Sequence, residues 1–361
     1  MEGITYKKNS EAVIERLRAL YSRRAQDRIF ATFDIPSRTL AGFREKNPEG
    51  FCSCPDPHER IRFWDELLKE RMALDDDSIP SAYLSEFDQA LYGGLVGGEA
   101  QYMCHDNGWI SSMVPPILRD WSEFDTLSVD TDHPWFRQYL RQMNVFIEGA
   151  GDRFGISHFI LIDGLNFSFE LVGASKTYES LLECPDMVRR AIDFAFSLNV
   201  LVQRTFFDTV PLYDGGTFSN MVQWIPGRIV SESVDPFHMT SVDYFETWGR
   251  ENIERMYAEF DGGVLHIHGN GRHLLEAVHT LRGLKAIWLG DDTGFPGAFD
   301  VLPDLQKRTG DVPLVTTSPY RDFIARLDRR ELPGGVFYQV TGAPDADAAN
   351  RCMEKVRSYR R

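Results

Sequence analysis

Apolar and polar positions along the chain follow two alternating rhythms. Short β-prone runs end in polar or turn-forming residues: "RIFATFDIP" (28–36), "ISHFILID" (156–163), "GRIVSES" (227–233), "GGVLHIH" (262–268), "LKAIWLGDD" (284–292), "VPLVTT" (312–317) and "GGVFYQVTG" (334–342). Between them lie longer stretches such as "SVDYFETWGRENIERMYAEF", "GRHLLEAVHTLRG" and "DADAANRCMEKVRSY". Their apolar residues recur at the spacing of an amphipathic helix. In the long run that begins "SKTYESLLECPDMVRRAIDF", Pro185 marks the start of a new helix. Strands alternating with helices over short turns predict a parallel sheet covered by helices. No glycine-rich phosphate loop follows the first strand. An α/β fold of the (β/α)8 TIM-barrel type is therefore expected over an open doubly wound sheet. No repeat, linker or composition break divides the chain. Residues 1–361 read as a single barrel domain, with 1–27 and 37–80 as mainly helical additions outside the ring.

Composition narrows the class. The 361 residues are 43% hydrophobic and 12% aromatic, which suits a globular protein with a substantial core. No apolar run approaches the ~20 residues that span a bilayer, and the first 30 residues are too charged for a signal peptide. A cytoplasmic protein without a membrane partner is expected. The net charge of −15 argues against nucleic acid, which needs a concentrated positive face. It leaves a small anionic substrate open, since net charge says little about one cleft. Five cysteines, an odd number, point to reduced thiols. Cys52, Cys54 and His58 in "FCSCPDPHE" lack a second ligand pair at zinc-finger spacing, so this stretch reads as a loop leading into a helix.

In a barrel, chemistry lies at the C-terminal ends of the strands. Those ends carry Asp34; Asp163 with Asn166; Glu232 with Asp235; His266, His268 and Asn270; Asp291 with Asp292; and Thr341. Turn chemistry alone places many such residues there. The histidine pair says more. Alternate strand residues share a face, so if Leu265 and Ile267 face the helices, then Val264, His266 and His268 face the axis. Their Cα atoms are then roughly 6.5–7 Å apart, close enough for both imidazoles to serve one ion. A catalytic zinc usually takes three protein ligands. Glu232 is taken as the third, with Asp235, Asp291 and Asp292 as alternatives. Imidazole also serves as a general acid or base without any ion.

The segment "DGGVLHIHGNGRHLLEAVHTLRGLKAIWLGDD" resembles the His-containing segment of the uroporphyrinogen decarboxylase superfamily, which also holds zinc-dependent methyltransferases acting on corrinoid proteins and coenzyme M. "DDDSIPSAYLSEFDQALYGGLVGGEAQYM", "YESLLECPDMVRRAIDF", "SESVDPFHMTSVDYFETW" and the closing "GGVFYQVTGAPDADAANRCMEKVRSY" match in order. The resemblance implies a (β/α)8 barrel with its cleft at the strand C-termini, a homodimer as the assembly, and zinc as the ion. Two departures matter. The decarboxylases carry Arg-x-x-Gly-Arg after the first strand, where this chain has "FATFDIPSRTLAGF" and only Arg38. The methyltransferases use His-x-Cys and a later Cys, where this chain has His266-Ile267-His268 and Thr341, with Cys352 too far along the final helix.

Three functions follow. The first is a methyltransferase-like, metal-assisted enzyme with His266 and His268 at its centre, Asn270 and Asp292 beside substrate, and a small or corrinoid-linked substrate delivered by a corrinoid protein. The second is a metal-independent decarboxylase of a porphyrinogen-type polycarboxylate, with Asp34 or Asp88 steadying charge and Arg38, Arg153 and Arg228 holding carboxylates. In either, Asn166 is a substrate contact. The third is a ligand-binding barrel without catalysis.

Overall fold

The strands are apolar on both faces because both faces are covered. In the computed structural model, which describes residues 4–47, 56–84, 90–104 and 110–361, twelve strands are described. They are β1 (Ile29–Phe33), β2 (Ser81–Tyr83), β3 (Gln101–Cys104), β4 (Ile110–Met113), β5 (Gly155–His158), β6 (Gly216–Ser219), β7 (Gln223–Pro226), β8 (Val230–Ser233), β9 (Gly263–Ile267), β10 (Leu284–Leu289), β11 (Leu314–Pro319) and β12 (Val336–Thr341). A six-stranded sheet runs β1-β12-β11-β10-β9-β8, parallel throughout. A second sheet runs β2-β5-β6-β7, parallel except at the β6–β7 hairpin. β3 and β4 pair separately and antiparallel. The architecture is α/β, with a mostly parallel central sheet and many helices.

A few hydrogen bonds link the two larger sheets, among them Ser219 to Ser231 between hydroxyls and the Ile229 amide to the Thr217 hydroxyl. The Leu161 amide, just past β5, donates to the Ser231 carbonyl of β8 at 2.8 Å. At the other edge the Asp77 amide donates to the Ala31 carbonyl of β1 at 2.9 Å, and the Ala31 amide returns a bond to Asp77 Oδ2 at 3.1 Å.

Register sorts the side chains into two layers. Phe30, Phe337, Val315, Trp288, His266 and Ser233 stand level on neighbouring strands, and Val264 stands level with Ala286. Phe30, Val264, Ala286, Val315 and Phe337 pack in one inner cluster. The intervening Leu265, Ile267, Ile287, Leu289 and Leu314 pack instead with the helices. Further along the strands the inner row turns polar: Thr32, Gln339 and Thr317 stand level.

The helix Ser10–Tyr21 is the main departure from the expected arrangement. Its Val13, Ile14, Leu17 and Leu20 join the inner cluster with Trp224, Val264 and Phe337, so it caps that cluster instead of decorating the outside. Asp75, Asp76 and Asp77 fix it in place. Asp77 pairs with Arg16 at 2.6 Å, and Asp75 takes Arg357. Asp76, fully buried, holds Lys7 at 2.9 Å, the Thr32 hydroxyl at 2.9 Å and the Phe33 amide at 3.1 Å. Burial alone would raise the Asp76 pKa, but the Lys7 and Arg71 charges overcome it and hold the carboxyl below its usual range.

Residues 37–80 supply the helices Arg38–Lys46 and Pro57–Glu70, and a new helix does begin at Pro185, running to Thr209. The single helix expected over 241–260 is broken at Gly249 into Val242–Trp248 and Arg250–Glu259; a Cβ there would lie 2.9 Å from the Phe237 ring. The helix expected after β9 shrinks to a 3-10 segment, Gly269–Leu274, and one α turn, Leu275–Val278. No helix among the described residues is long and apolar enough to cross a membrane.

Candidate functional site

The alternation at the end of β9 aims both imidazoles the same way. Leu265 and Ile267 belong to the helix-side cluster, and the His266 and His268 rings lie 4.2 Å apart between centroids. Gly290 makes room for these two rings, and Gly271 for the neighbouring His238. A Cβ on Gly290 would sit 2.7 Å from His266 Nε2 and 3.3 Å from His268 Nδ1. One on Gly271 would sit 2.1 Å from the His238 ring. His266 is also held by Trp288, whose ring lies 4.3 Å away on the level position of β10.

Asp235 completes the group. It opens the 3-10 segment Asp235–Met239 that follows β8. Asp235, His266 and His268 each offer one donor atom, and the three atoms lie within 4.8 Å of one another. Asp235 Oδ1 is 3.8 Å from His268 Nε2 and 3.5 Å from His238 Nδ1. The far side of His268 is anchored, its Nδ1 lying 3.0 Å from Asp292 Oδ1. Asp292 is fixed in turn by the Asn270 amide, which donates to Oδ2 at 3.1 Å. Burial raises the Asp292 pKa, but that amide and the neighbouring His268 outweigh it and hold the carboxyl low. Burial, aided by His268, pushes His266 well below its ordinary pKa, and burial does the same to His238. Both rings are neutral near pH 7, and neutral imidazole is the ligating form. His266 Nε2 is buried without a hydrogen-bond partner among the described residues.

Glu232 is not brought to this group. It stands level with Leu265 and so faces the helix layer, where it interacts electrostatically with Tyr257. Burial first, then Asp163, raises its pKa well above the ordinary value. Asp235 takes the place expected of it. Arg228 precedes β8, pairing with Asp261 ahead of β9; both lie at the strand ends opposite the imidazoles. Asn166 sits in the first turn of the helix Gly164–Val172, where its amide donates to the capping Asp163 at 3.1 Å. Arg153 pairs with Asp65 at 2.9 Å. Cys352 is buried in the helix layer, and burial pushes its thiol up to about 12. Cys52, Cys54 and Asp88 lie outside the described residues.

Asp34 joins a different feature. A cavity of about 570 Å³ is lined by Asp34, Arg71, Gln339, Thr317, Asn220 and Trp288 among others. Arg38 is exposed and does not line it. Neither imidazole lines it either; Trp288 is the wall the two share. Trp288 was legible in principle, because it has the same strand parity as Ala286. His238 and Arg71 carried no local signal, since a 3-10 turn and a helix end place them.

No protein-family model matches the chain, and no curated protein matches it in sequence. Among solved structures it is similar to a methyltransferase from Methanosarcina mazei, with 13% identity and a TM-score of 0.62, over 95% of this chain and 97% of that one. The two chains share a fold over nearly their whole lengths.

Proposed function

We propose that the chain is a cytoplasmic methyltransferase-type enzyme of the uroporphyrinogen decarboxylase superfamily. In this reading the two sheets form one closed (β/α)8 barrel, and its metal centre is built from Asp235, His266 and His268. The convergence of these three donors at the strand ends, in a fold shared with a methyltransferase, carries the reading. Two imidazoles and a carboxylate form a donor set that zinc accepts with a position left open, and the unpartnered His266 Nε2 beside the clearance at Gly290 fits a ligand role. Zinc held there would act as a Lewis acid, making a thiol or water nucleophilic near neutral pH.

The protein's own groups do the positioning. Asp292 fixes the tautomer of His268 through Nδ1, leaving Nε2 turned toward Asp235. Trp288 limits the rotation of His266 by packing against it. The substrate is a small molecule in the adjoining cavity, and a corrinoid protein is the partner class for the methyl group. A porphyrinogen-type polycarboxylate suits the cavity less well: its charged lining residues, among those described, are two acids, Asp34 and Glu70, and two bases, Arg44 and Arg71, not a concentrated positive face.

Metal analysis tests this. Purified protein, stripped with chelator and titrated with zinc, is expected to bind one ion, and His266→Ala, His268→Ala and Asp235→Ala each to weaken binding by two orders of magnitude or more, roughly as expected for loss of a ligand when outer-shell changes cost 10–100-fold. Wild-type protein that takes up no ion would remove the metal centre.

A further inference from the structure

The cavity beside the imidazoles has a charge arrangement at its mouth that the metal centre does not use. Glu70 is engaged there through one oxygen, its Oε1 accepting from the Thr39 amide at 3.1 Å and the Thr39 hydroxyl at 2.9 Å, while its Oε2 is buried away from the mouth. Asp34 is not so engaged. Its side chain is 70% exposed, and the nearest cation among the described residues is Arg71, with Nη1 3.9 Å from Asp34 Oδ1. The other arm of Arg71 is 3.6 Å from Asp76 Oδ2. Both distances exceed hydrogen-bond length. The one side-chain hydrogen bond Arg71 makes among the described residues is a long contact to Thr32 Oγ1 at 3.4 Å.

Arg16, by contrast, grips Asp77 at 2.6 and 2.9 Å. Arg71 is left loose because Asp76 is already engaged by Lys7, Thr32, Ser78 and the Phe33 amide. A carboxylate and a guanidinium therefore stand side by side in one cavity with donors and acceptors to spare. Trp64, Leu67, Ile79 and Tyr83 line the cavity with them, and Trp288 forms part of its wall.

We propose that this cavity binds a small zwitterion, a molecule with a carboxylate and an ammonium on neighbouring atoms and an apolar side chain, as in an apolar α-amino acid. The carboxylate lies on the guanidinium fork of Arg71, the ammonium lies on Asp34, and the side chain lies along the aromatic wall toward Trp288. A ligand with only one of the two charges makes only one of these two contacts, because Arg71 and Asp34 already stand near each other and Arg71 also near Asp76. Selectivity comes from making both contacts at once. The balanced lining also explains how an acidic protein holds a carboxylate without a basic patch. The inference rests on the cavity being the substrate site of the enzyme proposed above.

Calorimetry on the full chain tests it, with L-methionine, L-leucine and L-phenylalanine, each compared with its amide and its N-acetyl form. At least one free amino acid is expected to bind, and its two singly charged analogues to bind at least about tenfold more weakly, as for loss of a hydrogen-bonded charge. Asp34→Asn is expected to weaken the free amino acid by a similar factor and to leave the N-acetyl form unchanged. Arg71→Lys is expected to narrow the gap between acid and amide; Asp34→Asn alone decides the matter if that variant misfolds. No binding by any of the three, or equal binding of the analogues, overturns the proposal. The titrations are run on both chelator-stripped and zinc-loaded protein and need no turnover. Loss of zinc binding with zwitterion binding intact would sink the metal centre alone, and the reverse would sink this inference alone.

Discussion

Gly290 shows how little space the two imidazoles have. A single methyl group there would lie 2.7 Å from His266 Nε2, and the ring cannot retreat because Trp288 and His268 flank it. Gly290→Ala is therefore expected to weaken zinc binding about 10–100-fold, the range for losing a supporting contact, with the fold retained; competition against a chromophoric chelator measures it. Glu232 makes the opposite prediction. Its native pKa is raised, so the folded protein keeps a proton that the unfolded chain has lost. The stability it contributes is complete below the unfolded pKa near 4.3. That contribution then fades by about 1.4 kcal/mol per pH unit as pH rises toward the native pKa. Glu232→Gln should remove this slope, stabilising the protein more at pH 8 than at pH 5 in denaturant titrations, and should leave zinc binding unchanged. The two histidines were legible because strand alternation fixes their common face. The same rule, applied to β8, sets Glu232 apart from them once its register with Leu265 is known; one chain alone does not reveal that register.

Among the elements, the run 75–77 does the work of a clasp between β1, the N-terminal helix and the last helix. Nothing local in the sequence marks these three carboxylates for that work; their partners, distant along the chain, do. Asp76→Asn leaves the buried Lys7 without its counter-charge and is expected to cost about 3–5 kcal/mol, measured by the shift in urea midpoint. Acid should do the same to the unaltered protein. The Asp76 pKa is depressed in the fold, so its contribution is complete above the unfolded value near 3.9 and is lost as pH falls below it. Denaturant midpoints should therefore fall steeply below about pH 4. Seven of the twelve described strands lie in the runs that were legible in sequence; β2, β3, β4, β6 and β7 were not read, nor were several helices, Pro134–Ala150 and Leu302–Thr309 among them. The helix expected after β9 is instead a 3-10 segment and one α turn, where Gly271 makes room for His238 and Gly269 lies against Phe295 and Asp292.

For the molecule as a whole, the first helix behaves as part of the core. Its apolar face reads the same in sequence whether it lies outside or beneath the strands, so its place as a floor under the inner cluster could not be read in advance. Hydrogen exchange should show amides of Ser10–Tyr21 opening only with global unfolding, at the rate of those in β9–β12; independent early exchange would refute this. Trp288 carries a last consequence. One indole faces the cavity on one side and packs on an imidazole on the other. If occupancy of either compartment tilts that ring, the two ligands become thermodynamically linked. Each then alters the affinity of the other by the same factor, and a protein probed with only one of them would reveal half of its behaviour.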